Sequence, residues 1–90
     1  MALAGLVVVE VGAYGAGPFG TRLLAELGAE VIKIESPAGD PVRHFLPNIH
    51  AVSYPYHFYN LNKRGITLDL KTTAGREQVR KLLSRADVFL

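Results

Sequence analysis

Gly15-Ala16-Gly17-Pro18-Phe19-Gly20 places glycines at the spacing G-x-G-x-x-G, and Glu35 stands twenty residues beyond Gly15. Between a strand and a helix, such glycines permit a tight turn and let a phosphate approach backbone N–H groups. An acid about 20 residues further on can bind a ribose hydroxyl. The pattern points to a dinucleotide site or, more broadly, to a strand-to-helix turn beside a ligand. Two features tell against the dinucleotide. Pro18 removes one N–H from the phosphate-facing first turn, and Gly12 lies upstream, so the turn is longer than the fingerprint assumes.

The second group of candidates is Glu35-Ser36-Pro37-Ala38-Gly39-Asp40-Pro41, followed by Arg43. In open parallel sheets, ligands bind beyond the carboxyl ends of the strands, so this loop and the glycine turn are expected side by side. Arg43 either neutralises a phosphate there or is a solvated loop arginine. His44, His50 and His57 lack the spacing of a helical metal motif, and no metal site is expected. Asn62-Lys63-Arg64, followed by Leu68-Asp69-Leu70-Lys71, concentrates positive charge around a short strand and reads as an exposed turn.

These residues need elements to position them. Leu6-Val7-Val8-Val9 is continuously apolar, the pattern of a strand covered on both faces. Pro18 suits a first helical position, and Phe19, Leu23, Leu24 and Leu27 recur at helical spacing as an apolar face, with Gly28 as the left-handed stop. Residues 29–35 form a second buried strand, which makes a βαβ unit. Residues 36–55 carry four of the five prolines and read as a long loop. An aromatic segment with Tyr56, Phe58 and Tyr59 follows, either a short helix or irregular. Ile66-Thr67-Leu68-Asp69-Leu70 alternates as an edge strand. Thr72 or Thr73 caps a second helix with Val79, Leu82, Leu83 and Ala86 on its apolar face. Residues 86–90 start a further strand that ends without a turn, so we expect this sequence to be part of a larger protein.

Ninety residues allow one small domain at most, with a marginal core. There is no cysteine, which excludes disulfide scaffolds and thiolate metal sites. The formal net charge is +2 with Lys and Arg scattered, so no nucleic-acid surface is expected. Glu10 interrupts the only apolar opening, and four glycines and a proline break the uncharged run of residues 11–21. Neither a signal peptide nor a membrane span is expected, and the location implied is cytoplasmic.

In order along nearly the whole chain, these segments resemble the N-terminal region of the class III coenzyme A transferases, the CaiB/BaiF family. The resemblance is carried by Leu3-Ala4-Gly5-Leu6-Val7-Val8-Val9-Glu10, Ala16-Gly17-Pro18, Leu27-Gly28-Ala29-Glu30-Val31-Ile32-Lys33-Ile34-Glu35 and Pro37-x-Gly39-Asp40. Asn62-Lys63-Arg64-Gly65, Leu68-Asp69-Leu70-Lys71, Gly75-Arg76 and Ala86-Asp87-Val88 extend it. It implies an α/β fold, a partial Rossmann-like domain with a parallel sheet and flanking helices, over residues 1–90. It also implies coenzyme A or acyl-CoA as substrate rather than a permanent cofactor, a carboxylic acid acceptor, and a homodimer in the full-length protein. The nucleotide contacts it implies are Tyr14, Gly15 and Ala16, then Ser36, Leu68 and Lys71. Several members have arginine at the Ser36 position, so Lys71 and Arg43 are the candidates to supply the charge. The family's nucleophile, an aspartate that attacks the thioester, belongs downstream of residue 90, so residues 1–90 are expected to be inactive. The α-methylacyl-CoA racemases share this region and remain an alternative, as does a NAD-binding oxidoreductase domain.

Overall fold

The structure is a computed structural model and describes residues 1–49 and 51–90. The apolar run near the start forms strand β1 (Val7–Glu10), in which Val8 and Val9 are completely buried. Helix α1 (Ala16–Glu26) leads to β2 (Glu30–Glu35), and Gly28 ends the helix at φ +104°. A 3₁₀ turn (Pro41–His44), a two-residue antiparallel pair β3 (Asn48–Ile49) and β4 (Val52–Ser53), and helix α2 (Tyr54–Tyr59) occupy the long connection. Then come β5 (Arg64–Thr67), α3 (Thr73–Leu83) and β6 (Val88–Phe89). The main sheet is parallel throughout, in the order β5-β2-β1-β6, with Val8 opposite Val31 and Val88, and Ile32 opposite Arg64. This is the α/β fold expected, with the two longest-buried strands at the centre.

The core is built from Val8, Ala25, Ala29 and Val31, with Leu3, Leu6, Leu24 and Val88 packed against it. That corrects the expected apolar face of α1. Pro18, Thr21 and Ala25 are its buried residues, whereas Phe19, Leu23 and Leu27 are 40%, 44% and 50% exposed. Small side chains let the helix lie close to the sheet, and the larger ones are displaced to its flank. There Phe19 stacks on Phe58 at 6.2 Å, with Tyr59 edge-on to both rings.

Three local expectations also shift. Pro18 is the third helical residue rather than the first; its missing N–H still costs nothing, because the first intrahelical bond is Phe19 N–H to Gly15 O at 2.7 Å. The left-handed residue of the glycine turn is Tyr14, at φ +66°, not a glycine. Strand β5 starts at Arg64 and ends at Thr67; the Leu68 N–H then donates to Glu35 O at 2.9 Å before the chain turns. Thr72 caps α3 by accepting from the Gly75 N–H, as its side chain allows.

Candidate functional site

The site begins with charges that the sheet buries. Glu10 ends β1 and Lys33 sits inside β2, each about 1% exposed. Lys33 Nζ pairs with Asp40 at 2.9 Å and donates to Gly12 O at 3.1 Å. Lys63 Nζ pairs with Glu10, and it also donates to Pro18 O at 2.9 Å and Asn60 Oδ1 at 2.8 Å. Thr21 Oγ1 donates to the other Glu10 oxygen at 2.9 Å. Two carboxylates and two ammonium groups thus neutralise each other beneath the glycine turn. This corrects the exposed reading of Asn62-Lys63-Arg64 at Lys63, whose side chain is 2% exposed, while Asn62 and Arg64 are exposed. An isolated buried ammonium would be prohibitive, so Lys63 goes inside only because β1 presents Glu10 to it. Burial still pulls the Lys63 pKa below its usual value, opposed by the hydrogen bond to Glu10.

A second cluster holds the loop after β2. Arg43 donates to both Glu35 oxygens, at 2.7 and 2.8 Å, and lies over the Tyr56 ring at 3.8 Å. The Tyr56 hydroxyl donates to Glu35 at 2.6 Å, and the Asp40 N–H donates to it at 2.8 Å. The Arg43 guanidinium, with these further donors, outweighs burial and holds the Glu35 carboxyl down at about 2. Arg43 itself is raised by the same hydrogen bond, and Tyr56 is raised by burial and by its carboxylate partner. Ser53, missed by sequence reasoning, is buried within hydrogen-bond distance of Val42 O and Phe45 O and fixes the 3₁₀ turn.

Between these clusters, beyond the carboxyl ends of β1, β2 and β5, lies a cavity of about 230 Å³. Its walls are residues 11–13, 34–36, 39–41 and 69–71. Binding pockets for a whole small molecule are usually above about 300 Å³, so this one takes a single moiety of a larger ligand. Its acidic lining is largely neutralised from behind, Glu35 by Arg43 and Asp40 by Lys33. Lys71 is the one cation among the described lining residues, and it has no ion-pair partner among the described residues.

Of the expected site residues, Ser36 and Lys71 line the cavity. Tyr14 continues the 11–13 wall, with its N–H on Asp40 Oδ1 at 3.1 Å and its ring half-exposed against Phe45. Gly15 caps α1 without a side-chain bond, and Ala16 begins the helix, so their N–H groups lie in its unsatisfied first turn. Leu68 follows β5 immediately before the 69–71 wall. Arg43 lies behind Glu35, outside the lining. Among the aspartates, Asp87 accepts from Val7 N–H at 2.9 Å, Asp69 folds onto Lys71 N–H, and Asp40 is in the buried network.

Two roles in the dinucleotide fingerprint are unfilled. Gly20 faces open space instead of packing a helix on the sheet, and both Glu35 oxygens are engaged by Arg43, Tyr56 and Asp40 N–H. His44 and His57 are exposed, and His50 lies outside the described residues. Among the described residues, no group of three or more His, Asp or Glu stands where it could hold a metal ion. Among the described residues, no helix is long and apolar enough to cross a membrane.

A parallel sheet with flanking helices, its strand ends opening on a cavity, defines the open α/β class, in which ligands bind beyond the carboxyl ends of the strands. Residues 3–90 match CoA-transferase family III, and the chain belongs to that family. It is similar to the succinyl-CoA:(R)-benzylsuccinate CoA-transferase subunit BbsE of Thauera aromatica, 46% identical over 82% of this chain and 19% of that protein. It is also similar to the cinnamoyl-CoA:phenyllactate CoA-transferase of Clostridium sporogenes, 40% identical over 96% of this chain and 22% of that one. Among solved structures, a CaiB/BaiF family protein from Brucella suis superposes with a TM-score of 0.89 at 43% identity, covering 96% of this chain and 24% of its own. The chain therefore spans about a fifth of the length of these curated relatives.

Proposed function

We propose that residues 1–90 are the coenzyme A-binding part of a transferase that moves coenzyme A between carboxylic acids. The carrying observation is the cavity at the ends of β1, β2 and β5, with Lys71 on its wall and without an ion-pair partner among the described residues, in a chain similar to CoA-transferases. The N–H groups of Gly15 and Ala16 at the start of α1 suit phosphate oxygens, since the helix terminus carries a partial positive charge. Lys71 adds a full one. Ser36 offers a hydroxyl, Leu68 a backbone contact, and the Tyr14 ring a surface for stacking. Arg43 serves through Glu35, holding the loop that carries Ser36.

In this reading coenzyme A arrives as a thioester substrate and leaves with the acceptor acid, and no cofactor is held permanently. The working protein is a cytoplasmic homodimer. The attacking aspartate implied by the family resemblance lies outside residues 1–90, and the roles of Asp40, Asp69 and Asp87 in holding the fold support that reading. A racemase would use the same region with a different acid–base pair; the relatives named above are transferases, and the transferase reading follows them.

Calorimetry of the chain with coenzyme A and with NAD tests the ligand. Binding of coenzyme A without NAD is expected, and binding of NAD without coenzyme A overturns the proposal. An acyl-CoA transfer assay on residues 1–90 is expected to show no turnover; turnover above background removes the downstream nucleophile from the account.

A further inference from the structure

The Asp40 side chain is 1% exposed, yet it touches three separate segments. Its Oδ1 accepts from the Tyr14 N–H at 3.1 Å and the Val42 N–H at 3.0 Å. Its Oδ2 pairs with Lys33 Nζ at 2.9 Å, and that ammonium donates to Gly12 O at 3.1 Å. One carboxylate thus reaches the glycine turn twice, directly at Tyr14 and through Lys33 at Gly12. It also pins the 3₁₀ turn from which Pro41 lines the opposite wall of the cavity.

Tyr14 is where this matters. Its φ of +66° is a conformation that non-glycine residues hold only when their surroundings enforce it, at a cost on the order of 1 kcal/mol or more. Its N–H is one of the two that Oδ1 accepts. The hydrophobic core lies elsewhere, around Val8, Ala25, Ala29 and Val31.

We propose that Asp40 is a positioning residue for the ligand: by holding Tyr14 in its left-handed conformation, it sets the N–H groups of Gly15 and Ala16 where phosphate oxygens meet them. This rests on the coenzyme A reading of the cavity. Asp40 touches no reacting atom.

Two double variants separate this role from simple charge pairing, since both remove the buried ion pair. In Lys33→Met/Asp40→Asn, the amide oxygen at position 40 still accepts from Tyr14 N–H; in Lys33→Met/Asp40→Ala nothing does. Coenzyme A affinity is read by calorimetry and exchange of the Tyr14 amide by NMR. The asparagine variant should bind within about threefold of the unsubstituted chain. The alanine variant should bind about tenfold more weakly, the scale of one lost buried acceptor, with faster Tyr14 exchange. Equal affinities in the two variants overturn the proposal. So does a Tyr14 amide that exchanges at the unfolded-chain rate in the unsubstituted protein, a measurement that does not depend on any variant folding. A protected Tyr14 amide in a chain that fails to bind coenzyme A overturns the ligand reading, and the inference with it.

Discussion

Lys63 and Glu10, far apart in sequence, form an ion pair sealed inside the protein, with side chains 2% and 1% exposed. The pair joins the end of β1 to the turn ahead of β5, and Lys63 extends it to α1 through Pro18 O. Such a pair stabilises little against apolar substitutes, but breaking it on one side strands a buried charge.

Glu10→Gln should therefore destabilise the fold by about 3–5 kcal/mol, while Glu10→Gln/Lys63→Met should recover much of that loss. Urea unfolding followed by circular dichroism measures both. A double variant no more stable than the single one would contradict the assignment of the cost to Lys63.

Glu35 makes stability depend on acid. Its carboxyl ionises at about 2 in the folded chain against 4.5 ordinarily, so the folded state favours the charged form. The contribution is fully present above the unfolded value and is lost as pH falls from there towards 2. With Arg43 half-exposed and screened by solvent, about 2 kcal/mol is at stake. Arg43→Gln should flatten this acid limb, read as a smaller difference between urea midpoints at neutral pH and near pH 3. An unchanged difference counts against the Arg43–Glu35 pair as its source.

Gly75 sits in the first turn of α3, where an added Cβ would overlap the Asp69 carbonyl. The clash is with backbone, so the turn itself must move, at about 1–3 kcal/mol for an overpacked site. Gly75→Ala should lower the melting temperature by several degrees. It should also weaken coenzyme A binding, because residues 69–71 form a cavity wall. A lower melting temperature with unchanged affinity would detach that wall from the ligand.

Lys71→Ala should reduce coenzyme A affinity about tenfold at low salt and make the remaining binding less sensitive to ionic strength. Lys81→Ala, on the exposed surface of α3, should do neither. Titrations at two salt concentrations distinguish them, and equal behaviour of the two variants would take Lys71 out of the site.

Much of the architecture was legible in the residues. The apolar runs around Val8 and Val31, Gly28 and the Thr72 cap are local signals, governed by backbone sterics and by one side chain satisfying nearby N–H groups. They determined the βαβ opening, the end of α1 and the start of α3, and the resemblance carried by the motifs pointed to the family that residues 3–90 match.

Only the tertiary structure decided which faces and charges went inside. Helical spacing marked Phe19 and Leu23 as core, but the close approach of helix to sheet selected Thr21 and Ala25. Lys63 reads as a solvated turn residue until β1 brings Glu10 beside it, and Asp40 as a loop acid until Lys33 and Tyr14 N–H converge on it. The glycines marked where the chain turns, yet the left-handed residue there is Tyr14, whose N–H donates to Asp40. Burial of a charge depends on partners brought from distant segments, and no spacing along the chain encodes that.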